Sequence, residues 1–314
     1  MTEPPTVLVS SWSDGLTILQ GGAARREFAG SMVSGMESDG AGGAYLIVDS
    51  KDVWAWAPDG SLRLLASSDL PLRCCLKVGG RLLVATDDAR VLELSAAGWS
   101  QLEGFDAASD RDRWYAGAAL IDGKMIGPPL GVRSMCATCD GRVLLVNVHV
   151  GGIPRSVDGG ASWRPTIDID VDVHQVSAHP SRPEIVAAAA GAGLCVSRDG
   201  GASWSLTTAG LHASYGSAVA MTEDAIYLAA STDHFTDQGA IYRRRIDGDG
   251  PLERVGGGLP PWLDGIADTY CIAARDNDLA VVDRGGHLYG SDDGGRSWSS
   301  WTDGLPIPSG VLLC

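Results

Sequence analysis

No stretch of the 314-residue chain approaches the roughly 18 consecutive apolar residues of a membrane-spanning helix. The opening segment, MTEPPTVLVSSWSDG, has neither the basic start nor the apolar run of a signal peptide. Both absences predict a soluble protein, with the cytoplasm as the expected compartment. Basic residues are scarce, 24 Lys and Arg against 39 Asp and Glu, for a net charge of −15 and a pI near 4.7. This balance argues against sequence-independent binding to nucleic acid or to an anionic membrane surface, because both rest on basic patches. Nucleic acid and membrane insertion are therefore not expected. There are only eight Glu, so any carboxylate chemistry falls mainly on Asp. The dense His-x-x-x-His spacing of a zinc helix is missing. One CxxC occurs, Cys136 and Cys139, with no second pair, in a strand-like stretch where residues three apart point to opposite faces. Seven Cys are an odd number, and most are expected as buried thiols in a reducing compartment.

What the chain does contain is glycine, proline and tryptophan. Its 42 Gly and 15 Pro show no collagen-like period, which points to many short elements joined by tight turns and away from long helices. The 10 Trp are half of the aromatic residues. An eight-residue phrase explains several of them. It occurs as Ser156-Val157-Asp158-Gly159-Gly160-Ala161-Ser162-Trp163, again at Ser197 to Trp204, and again at Ser291 to Trp298. The first two aspartates are 41 residues apart and the last two 94, twice 47, so a degenerate copy is expected midway, around Asp247. For repeats built from strands, a period of about 40 to 50 residues means propeller blades of four strands. The flanks, such as EIVAAAA, GLCVS and SWSLTT, are of strand length.

The phrase fits the pattern S-x-D-x-G-x-S/T-W, and the chain resembles the Asp-box (BNR-repeat) propellers, a group that includes sialidases, sortilin-type receptors and a photosystem II assembly factor. The resemblance implies that the box is a structural turn between the third and fourth strands of a blade, so its aspartates are read as neither catalytic nor calcium-binding. Carrying the phase through the weaker regions, with strands A to D in each blade, places seven C strands. They lie at GLTIL, DVWAWAPD, RVLELSA, GIPRSVD, GLCVSRD, AIYRRRID and HLYGSDD. The expectation is an all-β fold, one seven-bladed propeller of four-stranded antiparallel blades over residues 1–314. TVLVSS enters as a B strand, so the closing blade should combine three N-terminal strands with the C-terminal PSGVLLC.

Strand direction then sorts the residues. The D-to-A and B-to-C connections share one face, and the repeated phrases lie on the other. On the first face fall His149, His174, His212, His234 and His287, five of the six histidines. The starts of A strands add Arg73, Arg133, Tyr215 and Tyr270, and the two-residue strand period would place Asp170, Asp172 and His174 on one side. An insertion, RDRWYAGAALIDGKMIGPPLGV, exceeds the repeat and could put Trp114 and Tyr115 over the channel mouth as a lid.

The expected function is binding of a small polar molecule, glycan or peptide at that mouth. If chemistry follows, it would be that of a hydrolase or lyase, with His174, Asp172, Tyr270 and Tyr215 as catalytic candidates. Arg73, Arg133, Trp114, Tyr115, His234 and Asp268 are ligand-binding candidates. A metal-supported alternative uses His149, His174 and His212 around a divalent ion, with Asp170 or Asp172 as ligand or orienting partner. A sialidase-type alternative is implied by the resemblance. That family uses three arginines, a tyrosine nucleophile with a glutamate beside it, an aspartate acid/base and an early Arg-Ile-Pro. Arg73, Arg133 and Tyr270 could take such roles, and a two-carboxylate hydrolase could use Asp170 or Asp172 with Asp268. However, no early Arg-Ile-Pro occurs, Ile153-Pro154-Arg155 has the wrong order, and no Glu lies near Tyr270. A non-catalytic assembly or scaffold factor is the remaining alternative.

Overall fold

The computed structural model describes residues 5–115, 119–121, 124–126 and 130–314. Seven four-stranded antiparallel sheets follow one another around a central channel as blades of a propeller. Their innermost strands are Pro308–Leu313 in blade 1, then Val33–Ser38, Leu72–Val78, Val132–Ala137, Val173–Ala178, Tyr215–Met221 and Ile272–Arg275 in blades 2 to 7. Blade 1 has the expected composite make-up, with Val7–Ser11, Leu16–Gln20 and Ala23–Glu27 outside the C-terminal strand. The seam is antiparallel and pairs Leu8 with Leu312 and Val9 with Val311. This pairing ties the two ends of the ring together and leaves no open sheet edge inside it.

The blades hold together through apolar faces packed against their neighbours. The B strand of blade 5, Val186–Ala190, is buried throughout; its alanines let the flanking sheets approach closely. Between blades 4 and 5, Leu145, Ile153, Val173, Val176 and Val186 form one cluster. Each such aliphatic side chain contributes roughly 1.5–3 kcal/mol when fully buried. No helix among the described residues is long and apolar enough to cross a membrane.

All three phrases form C-to-D turns with the same hydrogen bonds. In the first, the Ser156 hydroxyl and the Ser162 amide donate to Asp158 Oδ1 (2.8 and 2.9 Å), and the Ser162 hydroxyl donates to Oδ2 (2.6 Å). The turns at Asp199 and Asp293 repeat this pattern. The Trp163 and Trp298 indoles donate to the carbonyls of Gly160 and Gly295, whereas Trp204 reaches Thr166 of the preceding blade. Each turn is also gripped by the blade before it. Arg81 donates to the Gly159 carbonyl, Arg155 to that of Gly200 and Tyr227 to that of Gly294, at 2.8, 2.8 and 2.6 Å. The segment around Asp247 is a C-to-D turn as expected, but it replaces the phrase's network with an Arg182–Asp247 ion pair at 2.7 Å.

Candidate functional site

Six blades carry an irregularity at the same place. Near the mouth-facing start of each inner strand, the pairing with the B strand skips one residue: Ser309, Ser34, Arg73, Arg133, His174 and Ser217 in blades 1 to 6. A bulge of this kind bends the strand and re-aims the extra side chain. Three of the six residues are the sequence candidates Arg73, Arg133 and His174, which therefore occupy equivalent positions in successive blades.

The inner end of blade 5 departs from the expected extended run. Residues Ile169–Val171 form a 3-10 turn capped by the Asp168 side chain, which accepts the Asp170 amide. Asp170 is consequently exposed and leaves the set, while Asp172 adopts a left-handed φ of +53° and turns back towards His174. Asp172 Oδ2 lies 3.4 Å from His174 Nε2, and Oδ1 lies 4.0 Å from His149 Nε2. The Oδ1 atom is buried without a hydrogen-bond partner among the described residues. On the other side of its ring, His174 Nδ1 meets the Gly216 carbonyl at 2.6 Å; a carbonyl only accepts, so Nδ1 carries a proton and Nε2 is the nitrogen turned to Asp172. The Tyr215 ring lies 4.7 Å from that of His174.

A second group enters from blades 6 and 7. Arg284, which sequence reasoning did not single out, donates to the His234 carbonyl and reaches His234 Nε2, both at 2.8 Å, and lies 3.9 Å from Asp268. His234 Nδ1 is 4.0 Å from Asp268 Oδ2. Arg284 sits in a B-to-C connection, and the rule that placed His234 on this face contained it as well.

Arg133 links the two groups electrostatically. Its charge acts on His149, Asp172, Tyr215, His234 and Asp268. Among the described residues its side chain makes a long hydrogen bond to Thr269 Oγ1, at 3.5 Å. Among the described residues no carboxylate lies within 4.0 Å of it to form an ion pair. Burial, with Arg133 adding to it, lowers His149 to about 4, so its imidazole is neutral at pH 7. For Asp172 burial pulls upward, but His174, His149 and Arg133 outweigh it and hold the carboxyl below its usual range. Asp268 is lowered in the same way, mainly by Arg133 and His234 acting against burial. Burial pushes the Tyr215 phenol up to about 12, which keeps it a proton donor.

The other candidates are placed differently. Tyr270, with a left-handed φ of +64°, belongs to the connection into blade 7, but its hydroxyl accepts the Met135 amide of blade 4 and lies beside the Cys74 thiol of blade 3. Blades 3 and 4 are opposite blade 7 in a ring of seven, so the side chain crosses the channel as a floor under the mouth. Arg73 stacks over Trp12 at 4.8 Å and lies 3.9 Å from Asp87. His212 is held between the Tyr242 hydroxyl (2.7 Å) and the Gln238 carbonyl (3.0 Å). It does not complete a metal set with His149 and His174: among the described residues no three of His, Cys, Asp and Glu are grouped to hold a metal. Trp114 is buried against Phe105, with Arg111 over its ring, and is an anchor of the core between blades 3 and 4. Tyr115 is 51% exposed and pairs with Val150. Of the remaining insertion, residues 116–118, 122–123 and 127–129 lie outside the described residues, and Ala119–Ile121 pairs with Lys124–Ile126.

No family model and no curated protein sequence matches the chain. Solved structures with a similar fold include an ancestral GH74 enzyme (TM-score 0.64, 14% identity), covering 96% of this chain and 40% of that one. A putative 6-phosphogluconolactonase from Bacteroides fragilis NCTC 9343 aligns over 99% of this chain and 98% of its own, with TM-score 0.64 and 13% identity. The GH74 xyloglucanase from Xanthomonas campestris aligns over 95% of this chain and 47% of its own (TM-score 0.63, 18% identity). The chain thus spans less than half the length of the two GH74 proteins, and identities this low speak for the propeller fold alone.

Proposed function

We propose that the channel mouth binds a small polar ligand carrying an anionic group, with Arg133 as its anchor and the Asp172–His174 pair positioned to move a proton. The observation that carries this reading is Arg133 itself. It is a half-buried guanidinium without an ion pair among the described residues, set among five titratable side chains from four blades. A guanidinium presents donors in a planar fork suited to carboxylate or phosphate. The buried, unpartnered Oδ1 of Asp172 supports the second half, since such an atom invites a donor from a ligand hydroxyl. If the ligand reacts, hydrolase or lyase chemistry suits the neutral His149 imidazole beside the ionised Asp172 carboxylate. A two-carboxylate glycosidase fits less well, because both Asp172 and Asp268 are held ionised and that mechanism needs a protonated acid.

The aspartate-centred hydrogen bonds shared by the three phrase turns support kinship with the Asp-box propellers. Seven free thiols favour a reducing compartment such as the cytoplasm. The experiment is a thermal-shift screen of sugar acids, sugar phosphates, their lactones and neutral sugars against wild type and Arg133→Ala. Stabilisation by the acids and phosphates, lost in the variant, is the expected result. Hits confined to neutral sugars, or hits unchanged by Arg133→Ala, would overturn the anionic reading.

A further inference from the structure

Below Tyr270 the channel holds a cavity of about 290 Å³. Tyr270 stands between the two spaces. Its neighbour Thr269 touches Arg133 and the carbonyls of His174 and Ser217, while Tyr270 itself lines the cavity below. Inner strands of blades 1, 2, 5, 6 and 7 form the walls, where Met36, Ala178, Ala273 and Ala274 are the partly exposed apolar side chains and Ser177 is polar. Against these surfaces stand two polar groups from one strand, Ser34 and Glu37. Ser34 is the bulge residue of blade 2, 4% exposed, and its hydroxyl has no hydrogen-bond partner among the described residues. The Glu37 carboxylate accepts the Lys77 amide at 3.3 Å, but the Lys77 ammonium turns away to the Asp39 carbonyl.

We propose that this lower channel is a second binding site, for a small organic amine whose ammonium sits between Glu37 and Ser34 and whose alkyl body lies along the apolar walls. An ammonium has three donors and no acceptor; the free oxygen of Glu37 and the unpartnered Ser34 hydroxyl supply acceptors for it. An anion or a second acid would leave Glu37 uncompensated in a confined space, whereas a cation offsets its burial. The net charge of −15 favours approach of a cation. The site is independent of the anionic ligand at the mouth and of its test.

Burial raises the Glu37 carboxyl to about 7, with the Lys77 amide and charge opposing the rise. The other titratable groups coupled to it are Cys74, Cys75, Cys136 and Tyr270, all pushed upward by burial and protonated near neutrality. Glu37 is thus the group in this set that changes charge between about pH 6 and 8. Isothermal titration of the full chain with n-butylamine hydrochloride tests the proposal, with n-butanol as the neutral isostere and KCl as the bare cation. Butylammonium should bind at about pH 8 and about tenfold more weakly at about pH 6, following the ionised fraction of Glu37. Binding at the lower pH should release protons, seen as heats that differ between buffers of different ionisation enthalpy. Glu37→Gln, checked for a native circular dichroism spectrum, should abolish binding; were it to misfold, the proton release in wild type remains the deciding measurement. The proposal is overturned by equal binding of n-butanol, by saturation of the same response with KCl, by pH-independent binding without proton release, by full affinity in a folded Glu37→Gln, or by no binding at pH 8.

Discussion

Arg73, Arg133 and His174 share one bulge position in three successive blades, so their common aim towards the mouth is a property of the backbone. The chemistry differs because each is stabilised differently: Arg73 over Trp12, His174 on the Gly216 carbonyl, Arg133 by a long hydrogen bond. Removing the Arg133 guanidinium should weaken binding of an anionic ligand by about 1.5–3 kcal/mol, roughly tenfold to a hundredfold, as titration calorimetry of a screening hit would read. Titration of single residues also shapes acid stability. His149 falls from 6.5 to about 4 on folding, so between these values the unfolded chain binds the extra proton and stability is lost as pH decreases. Glu37, raised from 4.5 to about 7, works in the opposite sense. The stability difference between wild type and His149→Gln should therefore shrink as pH falls from about 6.5 to 4; denaturant unfolding across that range would show it, and a constant difference would refute it. The types of these residues, and the face they share, were legible from strand direction. The bulges were not, because a skipped pairing leaves no mark in the alternation of a five-residue strand.

At the scale of the element, the repeated phrase is both a turn and a clasp between blades. Its aspartates are held at about 2 by hydrogen bonds from the turn's serines and amides, acting against burial, which is the largest influence at Asp199 and opposes the shift. Their folded values lie below the ordinary 3.8 of an aspartate, so this contribution is complete above that value and lost as pH falls towards 2. A different strain appears at Gly295, whose φ is +74° and where a Cβ would lie 2.6 Å from the Tyr227 hydroxyl that clasps the turn. Gly295→Ala should destabilise by about 1–3 kcal/mol, read as a drop of a few degrees in Tm. An unchanged Tm would mean that the clasp between blades 6 and 7 contributes little. The phrase identified these turns from sequence alone, including the degenerate copy at Asp247. The grip by Arg81, Arg155 and Tyr227 was hidden, because it joins residues about 45 to 78 positions apart. The short 3-10 turn at Ile169–Val171 was missed for the opposite reason: a run of alternating Asp and apolar residues reads as a strand, and only the Asp168 cap breaks it.

For the whole molecule, ring closure depends on Pro308–Leu313, the innermost strand of blade 1. Deleting residues 308–314 would leave Val7–Ser11 an open edge beside the channel and remove a wall of the lower cavity. The truncated chain should aggregate or melt well below wild type in size-exclusion and calorimetric measurements; a monomer of unchanged Tm would contradict the closure's role. Seven blades and their closure were readable because repeats report themselves at a fixed period. The division of the channel by Tyr270 was not, since it depends on one side chain crossing from blade 7 to blades 3 and 4. The ring therefore presents two ends of different character, phrase turns at one and the Arg133 mouth at the other. The most direct test of that polarity is a crystal structure soaked with an anionic hit from the thermal-shift screen. The ligand is predicted at Arg133, with a polar group within hydrogen-bond reach of Asp172; a ligand bound among the phrase turns, with the mouth empty, would contradict the account.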